Sequence, residues 1–230
     1  MREIVFDTET TGFKFTEGDR LVEIGCVEMV NRVETGRTFH AYYCPDRDMP
    51  PEAFAVHGLS TQFLSDKPRF RDGAGALLEF LGDAPLVAHN ASFDFGFLNG
   101  ELGAIGHPPI CTRTRYVDTL TIARSRHPGA KHTLDALCSR FGIDRSHRVL
   151  HGALLDAQLL AQVYVELMGG RQIGLGLATE RDAAPAPVVA RAAPVVRLRR
   201  VFAVPEGDLA RHRSFMSRIA DPIWGADAVG

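Results

Sequence analysis

Five side chains in this 230-residue chain are of types that act on phosphate esters when brought together: Asp7, Glu9, Asp94, His151 and Asp156. The first two stand in Ile4-Val5-Phe6-Asp7-Thr8-Glu9-Thr10-Thr11-Gly12. Its three apolar residues, two of them β-branched, read as a buried strand, and Thr-Thr-Gly reads as the turn that ends it. Side chains two apart on a strand share a face, so Asp7 and Glu9 leave the strand end side by side, where like charges repel unless a cation lies between them. Asp94 falls in the first turn of a helix expected from about residue 92, directly after a short strand at 86–88. An acid there complements the helix dipole, and it also lies over the sheet edge where α/β folds gather their ligands. Asp156 is set among Leu154, Leu155, Leu159 and Leu160 on a long expected helix, 153–168. A charge on so apolar a stretch must face water, a partner or a metal. His151 precedes it by five positions, about 140° of helical rotation, so the histidine belongs to the loop before that helix. An ordinary imidazole pKa of about 6.5 suits it to take a proton from water.

Four carboxylates and one imidazole suit a hard, oxygen-liganded cation such as Mg²⁺ or Mn²⁺ rather than a closed zinc site. Two such ions, about 4 Å apart, would clamp the attacking and leaving oxygens of an in-line phosphoryl displacement.

The elements that must position these groups follow an α/β pattern. Residues 21–29 and 37–44 alternate as two further strands joined by a turn around 31–36, an antiparallel start to the sheet. A short helix at 52–57 follows Pro50-Pro51 and closes at Gly58, and a second runs over about 73–81. The segment 116–119 is a strand or the start of a helix, where Asp118 is either a helix cap or a carboxylate steadying a histidine. Thr133 caps a helix whose Leu134, Leu137, Cys138 and Phe141 share a face, with Gly142 at its end. From 178 to 196 the composition turns to Ala, Pro, Val and Arg without periodicity, which is linker chemistry.

With 45% hydrophobic residues the chain can bury one full-sized core and still have residues left for a tail. A net charge of -2 excludes a global basic field that would draw the protein to nucleic acid or an anionic membrane. Charge is uneven, however: residues 1–110 carry 17 acidic and 9 basic side chains, and residues 111–150 carry 3 acidic and 8 basic ones. Cys26, Cys44, Cys111 and Cys138 form no C-x-x-C pair, so reduced thiols are expected rather than zinc ligands or disulfides. The absence of a leader or a long apolar run points to a cytoplasmic protein with no membrane span.

Asp7-x-Glu9, Asp94 and His151-x-x-x-x-Asp156, in that order, resemble the three motifs of the DEDDh, or DnaQ-like, 3′ to 5′ exonucleases. The sister DEDDy group carries tyrosine four before the last Asp, a position that is Gly152 here. The runs 7–12, 51–58, 89–94, 133–138 and 151–158 are similar to the branch of that family that proofreads for bacterial replicative DNA polymerases. The resemblance implies a ribonuclease H-like mixed sheet flanked by helices, an exonuclease domain over 1–170 and a flexible C-terminal tail. It implies two divalent ions, Mg²⁺ or Mn²⁺, held by Asp7, Glu9, Asp94 and Asp156, with His151 as the general base. The 3′-terminal nucleotide would lie against Asp7, Glu9, Thr10, Glu52, Ala53, His57, Asn90, Phe93 and Asp156.

The same resemblance implies partners: DNA 3′ ends, the polymerase catalytic (alpha) subunit, a sliding clamp (beta) and a small accessory subunit. Gln172, Leu175 and Leu177, in 171–177, look like the clamp-binding motif, with leucine where the family has an aromatic. A linker at 178–197 and a polymerase-docking segment at 198–230 would follow. Two other readings stay open, a free-standing RNA or oligoribonucleotide exonuclease and a catalytically silent scaffold.

Overall fold

A computed structural model describes residues 1–110, 116–148, 150–170 and 203–220. Strand β1 (Arg2–Thr10) lies at the centre of a five-stranded sheet and carries Asp7 and Glu9 at its C-terminal end. On one side it pairs antiparallel with β2 (Leu21–Val30), which pairs antiparallel with the edge strand β3 (Val33–Tyr42). On the other side β1 runs parallel to β4 (Leu86–Ala88), and β4 runs parallel to β5 (Tyr116–Asp118), giving the order β3-β2-β1-β4-β5.

The turn between β2 and β3 is tighter than the expected 31–36. Asn31 and Arg32 alone make it, both at positive φ (52° and 64°), and Val30 pairs with Val33. That geometry matches the twist of the flanking strands. Gly36, expected to end the turn, lies inside β3 at φ 83°, where the register shifts opposite Val27 to Met29; it supplies a bulge.

The helices are α1 (Pro51–His57), α2 (Thr61–Leu64), α3 (Phe70–Leu81), α4 (Ala91–Ala104), α5 (Thr119–Arg126), α6 (Leu134–Phe141) and α7 (Ala153–Leu167). Helix α3 starts before residue 73 because the Asp72 carboxylate accepts a bond from the Arg69 backbone N–H at 3.3 Å and caps the extra turn. The short α2, capped by Ser60, carries no periodic signal of its own. Segment 116–119 is both things it was expected to be in turn, a strand and then a helix, with Asp118 as the cap: its side chain accepts from the Leu120 N–H at 3.0 Å.

The alternation along β1 divides the core in two. Ile4 and Phe6 pack with Leu77 of α3 and with Phe95, Leu98 and Leu102 of α4. Val5, on the opposite face, packs with Val27, Val87 and Ala157, Leu160 and Tyr164 of α7. The far side of α7 packs on α5 and α6 through Ala123, Leu137, Leu159 and Val163. The end of β1 is thus clasped between α4 on one face of the sheet and α7 on the other.

The chain divides into two compact units, 1–176 and 177–230. In the second, α8 (Glu206–Met216) buries none of its residues, and Val204, Phe215 and Ile219 are exposed. Gln172, Leu175 and Leu177, the linker 178–197 and the docking segment apart from 203–220 lie outside the described residues. Among the described residues Cys26, Cys44 and Cys138 are free thiols, and no helix is long and apolar enough to cross a membrane.

Candidate active site

Each acid reaches the site for a local reason. Asp7 and Glu9 share the α7-facing side of β1 with Val5, as the period of two requires. Asp156 comes from the first turns of α7 on that side and is 3% exposed. Asp94 comes from the first turn of α4 on the other side and is equally buried. Thr8, which alternation turns toward α4, donates its hydroxyl to Asp94 Oδ1 at 2.7 Å. His151 stands in the loop ahead of α7, and its backbone N–H donates to the Val56 carbonyl of α1 at 3.1 Å.

Among the described residues, ligand atoms of Glu9, His151 and Asp156 come within 4.8 Å of one another. The charges of Glu9 and Asp156 act on Asp7, and that of Asp94 acts on both Asp7 and Glu9. Burial, then the charges of Asp94, Glu9 and Asp156, raise the Asp7 carboxyl well above its ordinary value. Burial, then Glu23, Asp156 and Asp94, push Glu9 up to about 8. Burial also raises Asp94, against the opposing pull of the Thr8 hydroxyl. Buried acids that resist ionisation, Asp7 and Glu9 also because of neighbouring charges, are what a divalent cation relieves, and their all-oxygen set with one imidazole fits a hard ion.

Beside the acids lies a cavity of about 540 Å³, lined by Thr10, Glu52, Ala53, His57 and Phe93, together with Thr11 and Phe13. Asn90 is not part of that wall; it heads α4 at φ 65°, its N–H donating to Asp118 Oδ1 at 3.1 Å. Phe93 serves both roles open to it, lining the cavity and packing on Phe97 with ring centres 5.1 Å apart. His57 is buried, which lowers its pKa against the opposing pull of the Thr10 backbone, and its Nδ1 accepts from the Leu59 N–H at 3.1 Å.

Sequence reasoning missed Thr8 and Arg148. Thr8 had a signal, since alternation alone sends the residue between two site acids to the opposite helix. Arg148 had none beyond being one of the basic residues in 111–150. It grips Asp156 with two bonds, Nε to Oδ1 at 2.5 Å and Nη2 to Oδ2 at 2.6 Å. It also donates to Asp135 Oδ1 at 2.8 Å, and its Nη2 lies against the His151 ring, 2.7 Å from Nδ1 and 3.3 Å from Nε2.

A family model described as exonuclease matches residues 4–164. The DNA polymerase III subunit epsilon of Rickettsia conorii is 56% identical over 174 residues, 75% of this chain and 76% of its own. That of Rickettsia prowazekii is 46% identical over 223 residues, 95% of this chain and 97% of its own. The chain belongs to the epsilon family of exonucleases. The Escherichia coli K12 member is 44% identical over 93% of this chain and 91% of its own length. Among solved structures, exonuclease X in complex with 5′ overhanging duplex DNA superposes with a TM-score of 0.58 at 27% identity, over 72% of this chain and 90% of that one. Escherichia coli exonuclease I with single-stranded DNA, at 18% identity and a TM-score of 0.64 over 74% of this chain and 41% of its own, shares the fold. Membership in the epsilon family makes this chain a metal-dependent 3′ to 5′ proofreading exonuclease, on the mixed five-stranded sheet with flanking helices expected of it.

Proposed function

We propose that Asp7, Glu9, Asp94 and Asp156 hold two divalent ions, Mg²⁺ or Mn²⁺, and that His151 is the general base that removes mismatched 3′-terminal nucleotides from DNA. The observation that carries this reading is the convergence of the β1 end, α4 and α7, where burial and then the neighbouring acids raise the pKa of Asp7 and Glu9. When bound, such ions polarise the scissile phosphate and stabilise the departing 3′ oxygen. His151, exposed and tied through its backbone to α1, takes the proton of the attacking water. The cavity receives the terminal nucleotide: Phe93 offers any base a stacking face, Thr10 a hydroxyl and His57 an imidazole wall. Asn90, at the head of α4, reaches the nucleotide from outside that wall. A frayed end enters more readily than a paired one, because less unstacking is needed.

The protein works in the cytoplasm on the replicative polymerase. With a net charge of -2 it gains little from free encounter with DNA, and tethering raises the local concentration of its substrate. Segment 198–230 docks on the polymerase catalytic subunit, which would cover the exposed Phe215 and Ile219. Gln172, Leu175 and Leu177 engage the sliding clamp, and a small accessory subunit completes the assembly.

The test uses a 5′-labelled primer with one mismatched 3′ nucleotide, as DNA and as RNA, with full-length protein. Stepwise shortening of the DNA that needs Mg²⁺ or Mn²⁺ and disappears in Asp7→Ala is expected. Preference for the RNA, or undiminished cleavage by Asp7→Ala, overturns the reading. Co-purification with the polymerase catalytic subunit should be lost when the chain is stopped at Gly170.

A further inference from the structure

Both oxygens of Asp156 are already engaged by a cation of the protein's own. The Arg148 guanidinium meets them side-on, and its side chain is only 9% exposed against 5% for Asp156, so this pair is shielded from solvent, unlike a surface ion pair. Nη2 of the same guanidinium lies against the His151 ring, 2.7 Å from Nδ1 and 3.3 Å from Nε2, and Nδ1 is 3.3 Å from Asp156 Oδ2. Its third contact points elsewhere: Nη1 donates to Asp135 Oδ1, a half-exposed carboxylate in the first turn of α6 that also pairs with Arg145 at 2.7 Å. One guanidinium therefore bridges a proposed metal ligand, the proposed base and an anchor outside the site.

We propose that Arg148 is a resident counter-cation of the metal site, a positioning residue that holds Asp156 and His151 in register and is displaced toward Asp135 when a divalent ion takes Asp156. This rests on the assignment of Asp156 as a metal ligand. A monovalent fork and a divalent ion cannot both command the same two oxygens: each satisfies their charge, and together they place like charges at contact distance. Arg148 thus keeps the buried acid from standing unpaired, and the cost is weaker metal binding. Its release also takes a cation away from the His151 ring, so that ion binding and readiness of the base become one event. Asp135 gives the displaced guanidinium a partner that needs no new contact.

The experiment is a titration of the full chain with Mn²⁺ alone, read by the electron paramagnetic resonance of free Mn²⁺ at pH 8.5, where protons compete least. Arg148→Gln should bind Mn²⁺ about tenfold more tightly than the unaltered protein, the scale of one charged hydrogen-bonded pair. Arg148→Lys, which keeps the charge and loses the fork, should fall between them. Asp135→Asn should shift affinity the opposite way, weakening it, because the guanidinium then has only Asp156 to hold. Circular dichroism on each variant confirms folding, and since the predicted shifts have opposite signs, general loosening cannot mimic them. Equal or weaker binding by Arg148→Gln, or tighter binding by Asp135→Asn, overturns the proposal. Asp156→Asn separates the two claims: if it leaves Mn²⁺ affinity unchanged, the ligand assignment itself fails, whereas a large loss there with no change in Arg148→Gln removes only the role of Arg148.

Discussion

Leu154, in the first turn of α7, rests directly on the bare backbone of Gly25: a Cβ at Gly25 would overlap the Leu154 nitrogen and Cα. Gly25 is the residue of β2 that pairs with Asp7 across the sheet. The absence of one methyl group is therefore what lets α7 approach closely enough for Asp156, two residues beyond Leu154, to share a site with Asp7. The obstacle is backbone, which cannot rotate aside. Gly25→Ala should destabilise the fold by about 1–3 kcal/mol, the usual cost of overpacking. Activity should fall further than melting temperature implies, measured as turnover well below the new melting point; an active Gly25→Ala enzyme would show that the close approach is not needed.

Asp7 is where stability and activity oppose one another. Its carboxyl is raised by burial and then by three neighbouring acids, so ionising it costs the folded state. Asp7→Asn removes that repulsion without changing shape. In EDTA at high pH the variant should melt above the unaltered protein, while turnover on a mismatched primer falls about 10³-fold. Lower stability in EDTA would mean that the acids are not held against their own repulsion.

Much of this site was legible because its parts obey short-range rules. Alternation placed Asp7 and Glu9 together, helix rotation sent His151 into the loop, and an acid among leucines marked Asp156 as answering to something other than water. What could not be read depends on how elements stack. Gly25 sits between apolar Ile24 and Cys26 in β2, and nothing local says that a helix will cross it there. Arg148 is eight residues from Asp156 and separated from it by a loop, so no periodicity relates them. The hairpin departed from expectation for a local reason: Asn31-Arg32 could turn by itself, which left Gly36 to form a bulge. The linker at 178–197 showed only composition in the sequence, and α8 buries none of its residues.

The raised Glu9 carboxyl predicts an unusual stability profile. Its pKa moves from 4.5 to about 8, with burial the first cause. A carboxyl protonated more readily when folded stabilises the protein fully below its unfolded pKa, and that contribution is lost as pH rises through its folded one. His57 and His89 are lowered by burial and act in the opposite sense, but only below their ordinary value of 6.5. From about pH 6.5 to 8 the carboxylates lead, and the buried thiols of Cys26 and Cys138, raised by burial, add a decline of the same sign above that. Melting temperature in EDTA should decline across that interval, Glu9→Gln should flatten the decline, and added Mn²⁺ should raise melting temperature most at the alkaline end. A flat profile in EDTA would count against the crowding of acids described above.

Thr8 gives a final test, because its hydroxyl works against the rest of the site. By donating to Asp94 Oδ1 at 2.7 Å it favours the ionised carboxylate that burial disfavours. Thr8→Val keeps the shape of the side chain, and its packing beneath α4, while removing that donor. Asp94 should then remain protonated to higher pH, and a protonated acid is a poor ligand for a divalent ion. The rate at limiting Mg²⁺ should drop about tenfold near pH 7 and recover toward pH 9, shifting the acid limb of the pH profile upward by about one unit. Saturating metal at pH 7 should restore part of the loss. If the variant instead loses the same fraction of activity at every pH, Thr8 acts by packing alone and its hydrogen bond to Asp94 has no part in readying the site.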